Sequence, residues 1–197
     1  MCANTIDHDV HYTPFLALSH NICYNISMQI TLYMGTTIDG FIAKTNGDSD
    51  WVSPIDAENF EKTMMEYGCI IVGRKTFEQF QGDLYPVKGI LNIVMTSDES
   101  MTSDDPEVMY ASQSPDEIVH IIEEKGHDKA LLIGGGTTNS VFAKAGLINE
   151  VILSIHPLAF GQGIHLFEGA GINMKLTLDS SEVLEDGVIR ARYSVNS

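Results

Sequence analysis

Short apolar runs alternate along the chain with stretches that carry apolar residues at helical spacing. The runs at 69–72 and 130–133 are almost wholly apolar, which is typical of parallel strands buried on both faces. The complete set of predicted strands in this part of the chain covers residues 29–35, 69–72, 90–95, 108–111, 130–133 and 150–155. This alternation predicts an α/β domain whose mostly parallel sheet is covered by helices on both faces.

Helix signals lie between these runs. Ser53-Pro54 precedes apolar residues at i, i+4 and i+7, and Gly68 follows them, which predicts a helix that begins and ends at these points. Further helices are expected at residues 76–80, after the capping box Ser114-Pro115-Asp116-Glu117, and through Val141, Phe142 and Ala145.

The last third of the chain has a different pattern. Residues 175–178 and 188–195 alternate between apolar and polar positions, with the turn-prone pair Asp186-Gly187 between them and no helix. They predict an antiparallel strand pair at one edge of the sheet. No internal repeat or low-complexity linker divides the chain, so we interpret residues 28–197 as one domain with a mixed sheet.

Residues 1–27 contain no Lys or Arg and show no sustained period of 2 or 3.6, and we interpret them as a leader outside the fold. The leader has His-x2-His and His-x2-Cys spacings that could chelate a metal ion, formed by Cys2, His8, His11, His20 and Cys23. Zinc frameworks usually add turn glycines and core residues at fixed offsets, which this segment lacks. We therefore favour chance clustering and assign no metal.

Composition narrows the class of protein. The chain has 197 residues, 44% of them hydrophobic, and 11 basic against 27 acidic residues give a net charge of −16. Such a surface repels nucleic acid, so no nucleic-acid partner is expected. No apolar run reaches the roughly 18–20 residues of a membrane helix, so no membrane association is expected either. Three widely spaced cysteines indicate a reducing compartment, and we expect a cytoplasmic protein.

Two strand-to-helix junctions are candidate anion sites, because helix N-termini offer unpaired N–H groups at the carboxyl ends of strands. The first is Gly73-Arg74-Lys75-Thr76. Its two cations lie at the positive end of a helix dipole, which is unfavourable unless an anion binds beside them. The second is Gly134-Gly135-Gly136-Thr137, which is either a flexible turn or a backbone nest for a pyrophosphate. Thr96 and Ser97, after another strand, could add hydroxyl contacts.

Asp56 is the candidate proton donor. It precedes Phe60 by four residues and so shares the inward face of its helix, where loss of water favours the neutral acid. Helix capping explains the same residue equally well, because Ser53-Pro54-Ile55-Asp56 repeats the arrangement of Ser114-Pro115-Asp116-Glu117. The residues alone leave both interpretations open.

Five segments resemble the dihydrofolate reductase superfamily, in the same order and over roughly residues 28–195. They are residues 37–43, 71–77, 133–136, 146–150 and 157–167. Gly146-Leu147-x-x-Glu150, followed by a segment from Pro157 through Gly161 and Gly163 to Leu166-Phe167, is most similar to the reductase domain of the bifunctional riboflavin-biosynthesis deaminase/reductase.

The resemblance implies a three-layer α/β/α domain that uses NADPH to reduce a small-molecule substrate. It implies that Gly73, Arg74, Lys75 and Thr76 lie near the adenosine 2′-phosphate, with Thr96 and Ser97 assisting, and that Gly134, Gly135, Gly136 and Thr137 lie near the pyrophosphate. It also aligns Asp56 with the active-site acid of dihydrofolate reductase. A homodimer formed through the C-terminal strands is implied by the same likeness.

The residues expected to bind the substrate depart from the pattern of the riboflavin reductases. Riboflavin reductases usually carry basic residues after the first helix, whereas this chain has Lys75-Thr76-Phe77-Glu78, which is more like dihydrofolate reductase. The expected activity is that of a 5-amino-6-(5-phosphoribosylamino)uracil reductase, acting on a heterocyclic or ribosylamino-pyrimidine substrate. The alternatives are reduction of a pterin and a non-catalytic NADP-binding protein.

Overall fold

A computed structural model describes residues 28–169 and 171–196; the leader interpretation and its rejected metal site fall outside these residues. The described strands are β1 (Gln29–Thr37), β2 (Phe41–Ala43), β3 (Cys69–Gly73), β4 (Leu91–Met95), β5 (Val108–Ala111), β6 (Lys129–Leu132), β7 (Glu150–His156), β8 (Ile164–His165), β9 (Lys175–Val183) and β10 (Ile189–Asn196). The α-helices are α1 (Pro54–Tyr67), α2 (Arg74–Gln79), α3 (Pro115–Glu124) and α4 (Gly136–Lys144).

Eight of these strands form one mixed sheet in the order β5-β4-β3-β6-β1-β7-β10-β9. The first six are parallel to one another, and β10 pairs antiparallel with both β7 and β9. The expected parallel sheet and antiparallel C-terminal pair are both present. Because β1 lies between β6 and β7, the carboxyl ends of β3, β6, β1 and β7 lie side by side at one edge.

Two apolar clusters fill the space between the sheet and the helices. One contains Met64 of α1 and Phe77 of α2, packed on one face of the sheet. The other contains Ile118 and Ile122 of α3 and Phe142 of α4, packed on the opposite face. The domain therefore has the three-layer α/β/α architecture that the resemblance implied.

Local sequence signals set the limits of the helices. The Ser53 hydroxyl accepts the Asp56 N–H at the start of α1, and Gly68 ends that helix in the left-handed conformation. The capping box at α3 forms as expected. The expected helix at 76–80 is wrong by two residues, because helical geometry already begins at Arg74, directly after Gly73. An i, i+4 contact between Arg74 and Glu78 supports this earlier start.

The short strands β2 and β8 form a separate antiparallel pair that the sequence pattern did not reveal. Both are too short to show a hydrophobic period, and the close approach depends on Gly163, where a Cβ would overlap the Ala43 carbonyl oxygen. Part of the chain that follows β7 is thereby tied to the chain that follows β1.

The helices in the described part of the chain are all too short or too polar to span a bilayer. Across residues 28–169 and 171–196, no group of three His, Cys, Asp or Glu side chains comes together as a possible metal site.

Candidate active site

Asp56 lies at the carboxyl edge of the sheet with its side chain almost completely buried. The first turn of α1 carries it beneath the ends of β1 and β7, and only 2% of the residue is exposed. Its Oδ1 accepts hydrogen bonds from the Tyr33 hydroxyl at 2.9 Å and from the Ser154 hydroxyl at 2.5 Å. Both partners come from strands, so the sheet fixes the orientation of this carboxyl group.

The second carboxyl oxygen of Asp56, Oδ2, has a different environment from Oδ1. A Cβ on Gly35 would lie 3.2 Å from Oδ2, so the glycine at this position leaves the oxygen accessible from the end of β1. The nearest basic group is the ring of His156, whose Nε2 lies 3.8 Å from Oδ2, too far for a hydrogen bond. Oδ1 is thus held by two hydroxyl donors while Oδ2 faces the adjoining cavity, which Asp56 lines.

His156 is the last residue of β7, and it is buried beside the start of α1. Its Nδ1 lies 3.0 Å from the Ser154 carbonyl oxygen, and its Nε2 lies 3.1 Å from the Ser53 backbone N. This pattern fits the tautomer with the proton on Nδ1, donated to the carbonyl, while Nε2 accepts the N–H. His156 therefore supports the start of α1 and the position of Asp56.

Burial raises the pKa of Tyr33 to about 12, and the nearby charge of Asp56 adds to the effect. The Tyr33 hydroxyl consequently stays protonated and remains a hydrogen-bond donor to Asp56 over the ordinary pH range. Tyr33 and Ser154 were missed in the sequence. The available signal was weak: Tyr33 and Gly35 share one face of β1, and Ser154 and His156 share one face of β7.

A cavity of about 270 Å³ adjoins Asp56. Its walls are mainly apolar and aromatic, and they include Phe60 of α1 and Phe80, Leu84 and Tyr85 of the segment after α2. Thr76 and Gly135, from the two candidate anion junctions, also line it. The cavity therefore extends from the proposed acid to the proposed cofactor residues, and its apolar and aromatic lining suits a small organic molecule.

The two glycine junctions meet at the end of β3 and β6. The Gly73 N–H donates to the Gly134 carbonyl at 2.7 Å, and a Cβ on Gly135 would lie 3.0 Å from the Thr76 hydroxyl oxygen. A Cβ on Gly136 would overlap the His165 carbonyl oxygen. Glycine is needed at these positions because backbone segments approach one another closely.

The basic pair at the first junction is only partly available. Arg74 donates hydrogen bonds to both carboxylate oxygens of Glu78, at 2.8 and 2.9 Å. The charge of Arg74 is therefore already balanced by an acid one helical turn later. Lys75 is exposed, and Thr76 is half-buried beside Gly135. Hydrogen bonds from Ser100 lower the pKa of the nearby Asp98 carboxyl group, and the charge of Arg74 adds to the effect.

The remaining predicted cofactor residues lie at the same edge of the sheet. Thr96 follows β4, and its hydroxyl accepts the Asp98 N–H at 3.1 Å; Ser97 is exposed next to it. Gly134 is buried with φ of 96°, and Thr137 is exposed in the first turn of α4. The structure thus gathers the residues along the ends of β3, β4 and β6.

A second, more polar cavity of about 450 Å³ lies between α1 and the strand pair β9–β10. Arg190 lines it and contacts Glu182, and the same guanidinium lies close to the Tyr33 hydroxyl. Tyr33 also lines the first cavity. One side chain therefore separates the two cavities.

Comparisons with known proteins found similar sequences and similar folds. Two uncharacterized proteins of Bacillus subtilis (strain 168) are similar: YyaP is 26% identical over 85% of this chain and 95% of its own length, and YwjB is 25% identical over 77% and 89%. A putative riboflavin biosynthesis protein from Shewanella sp. PV-4 is 25% identical, with a TM-score of 0.72 over 86% of this chain and 100% of that chain.

A dihydrofolate reductase from Enterococcus faecalis, solved with NADP(H), has a TM-score of 0.64 over 86% of this chain and 97% of that chain, and at 20% identity this likeness concerns the fold. The sequence pattern of the RibD C-terminal domain matches residues 28–190. The expected superfamily and group are thereby confirmed, and this chain belongs to the RibD C-terminal domain family.

Proposed function

We propose that this chain is an NADPH-dependent reductase of a planar heterocycle, with Asp56 as the proton source. The observation that carries the proposal is the position of Asp56, whose free Oδ2 faces the cavity that Thr76 and Gly135 also line. A reductase of this kind needs one placed proton donor beside the cofactor and few other reactive side chains.

The glycine junctions fit a dinucleotide. Gly135 and Gly136 begin α4, where the first backbone N–H groups of a helix can bind a phosphate, and Thr137 is exposed in the same turn. Gly73, Arg74, Lys75 and Thr76 would hold the adenosine phosphate, assisted by Thr96 and Ser97, and Gly134 to Thr137 would hold the pyrophosphate. When bound, NADPH supplies the hydride. For Arg74 to contact a phosphate, its bond to Glu78 would have to be exchanged or shared.

Asp56 contributes proton transfer and orientation. Oδ1 is engaged by Tyr33 and Ser154, so a proton carried by the carboxyl group is directed to Oδ2, toward the cavity. The aromatic side chains in the cavity wall would pack against a flat ring beside this oxygen.

Family membership favours the finer activity, reduction of a ribosylamino-pyrimidine as in 5-amino-6-(5-phosphoribosylamino)uracil reductase. The geometry of Asp56 at the start of α1 favours a second candidate, a pterin-type ring that pairs with the carboxylate. A protein that binds NADPH without reducing any substrate is the remaining alternative.

Oxidation of NADPH in the presence of dihydrofolate, or of the ribosylamino-pyrimidine phosphate, tests the activity. We expect turnover with a heterocycle and a loss of about a hundredfold or more in Asp56→Asn, since a placed general acid contributes on that order. Asp116→Asn, an acid in the first turn of α3, is the matched control. Tight NADPH binding with turnover unchanged in Asp56→Asn contradicts the role of Asp56.

Fluorescence titration with NADPH separates the reductase from a protein whose glycine turns are only structural. We expect binding that weakens in Arg74→Ala, while Lys62→Ala, a cation on α1, leaves it unchanged. Absence of binding at high micromolar NADPH, or binding insensitive to Arg74→Ala, contradicts the proposed cofactor site.

We also propose that the protein is a cytoplasmic homodimer. The C-terminal strands support the dimer, because Leu176, Leu178, Val183 and Ile189 are exposed on one face of β9–β10. The requirement for reduced nicotinamide and the free thiol of Cys69 support the reducing compartment.

A further inference from the structure

The cavity beside Asp56 has an unusual charge pattern for a family whose substrate carries a phosphate. Among the described residues that line it, the charged side chains are the two acids Asp56 and Glu61, and no Lys, Arg or His lines it. The sequence of residues 1–27 contains no Lys or Arg that could be added. Within the described part of the chain, a bound phosphate or carboxylate would therefore meet negative charge with no lining cation to offset it.

Basic residues near the cavity are already paired with acids. Lys44 follows β2 and lies 2.6 Å from Asp50 and 3.7 Å from Asp48. Lys62, next to Glu61 in α1, lies 2.6 Å from Glu58. These contacts direct the ammonium groups to neighbouring carboxylates, so an anionic ligand could recruit either cation only by exchanging or sharing such a contact.

The two acids differ in depth. Asp56, Ala57, Phe60 and Glu61 form the side of α1 that lines the cavity, and Glu61 lies five residues after Asp56, about 7.5 Å along the helix axis. Asp56 is buried whereas Glu61 is exposed. A ligand whose ring lies against Asp56 would therefore place its outer substituent near Glu61.

The far side of the opening is polar but uncharged. The Gln79 amide nitrogen of α2 donates to the Gly47 carbonyl at 2.7 Å, and both residues line the cavity with Ser49. Glu61 is thus the charged group at the outer part of the cavity among the described residues.

We propose that the substrate is a neutral or cationic heterocycle without a phosphate or carboxylate tail, and that Glu61 is the residue that selects against anionic tails. This inference rests on the proposed reductase function and names the substrate class of the same site. It contrasts with the cofactor end, where Arg74 and Lys75 provide positive charge.

Binding of two matched ligand pairs tests the inference on the full chain saturated with NADP+. One pair is the ribosylamino-pyrimidine nucleoside and its 5′-phosphate; the other is dihydropterin and dihydrofolate, which differ by an anionic glutamate tail. Calorimetry at low salt should give a dissociation constant about tenfold or more lower for the uncharged member of at least one pair. Equal or tighter binding of both anionic members overturns the inference, as does binding of neither member of either pair.

Variants of Glu61 assign the selectivity to that residue. We expect the preference for the uncharged member to fall about threefold in Glu61→Gln and about tenfold in Glu61→Lys, as for a unit charge several ångströms away in water. Glu124→Lys changes the net charge equally on α3, which packs on the opposite face of the sheet, and should leave the preference unchanged. Equal preferences in Glu61→Lys and Glu124→Lys overturn the role of Glu61.

The same ligands separate this inference from the reductase proposal. Selective binding of an uncharged heterocycle without NADPH oxidation contradicts the reductase and leaves the charge selectivity intact. Turnover of the phosphorylated pyrimidine in preference to its nucleoside supports the reductase and overturns the selectivity.

Discussion

Asp56 is held by groups that are far away in sequence. The Ser53 cap was readable from neighbouring residues, whereas the hydroxyls of Tyr33 and Ser154 come from two strands that meet only in the folded sheet. The sequence left capping and proton donation as alternatives for Asp56. In the structure its carboxyl group does not complete a capping box, because the Ser53 N–H donates to His156 Nε2 instead. The catalytic role of Asp56 stays a prediction.

Tyr33→Phe should destabilise the fold at neutral pH. The change removes a buried hydrogen bond to the Asp56 carboxyl group, and removing one donor from a buried acceptor costs about 1–3 kcal/mol. Urea unfolding at pH 7 measures the loss. Tyr85→Phe is the matched control, because Tyr85 is equally buried and its hydroxyl has no hydrogen bond within the described chain.

The same substitution should matter less in alkali. Burial raises the pKa of Tyr33 from 10.0 to about 12, so the folded state holds this proton more tightly than the unfolded chain. That contribution to stability is complete below pH 10 and is lost as the pH rises toward 12. The stability gap between wild type and Tyr33→Phe should narrow by about 1 kcal/mol between pH 7 and pH 11. A gap that stays constant contradicts this linkage.

Elements were predictable where the sequence carried a period or a cap. The six parallel strands, α1, α3 and the antiparallel C-terminal pair follow from patterning, whereas the order of the strands in the sheet was not predicted. The pair β2–β8 could not be found in this way, because it joins segments more than a hundred residues apart and has two or three residues in each strand. Long-range backbone contacts of this kind leave almost no local signal.

Gly136→Ala should strain the contact between α4 and the segment after β8. The Gly136 carbonyl accepts the Glu168 N–H at 3.1 Å, and an added Cβ would overlap the His165 carbonyl oxygen. We expect a loss of about 2 kcal/mol in the free energy of unfolding, typical of overpacking against backbone, measured with urea. Thr137→Ala, exposed in the same helical turn, should change it by less than about 0.5 kcal/mol. Equal effects of the two changes contradict the packing argument.

At the scale of the whole molecule, the sheet is covered unevenly. Helices cover the central strands on both faces, whereas β9 is exposed along its entire length at the edge. Opposite partners share a face, so Val183 and Ile189 lie together, 75% and 45% exposed. The sequence predicted the strand pair but could not show that no helix within the described chain covers this face.

Val183→Lys should weaken self-association if the uncovered face of β9–β10 forms the dimer. A charge placed among apolar residues at an interface costs desolvation energy, so we expect a shift from dimer toward monomer in sedimentation equilibrium. Glu185→Lys, in the exposed turn between the two strands, is the matched control. A wild-type monomer, or a dimer unaffected by Val183→Lys, contradicts the proposed interface.

Tyr33 connects the C-terminal strands with Asp56, the proposed proton donor. Its side chain lines both cavities, with Asp56 bonded to its hydroxyl and Arg190 close by. In evolutionary terms, substitutions around the second cavity can leave the substrate contacts unchanged. They can still alter the surroundings of Asp56 through the Tyr33 hydroxyl. Divergence in activity among relatives of this chain can therefore arise from its C-terminal strands, where comparison of pocket residues alone would not reveal it.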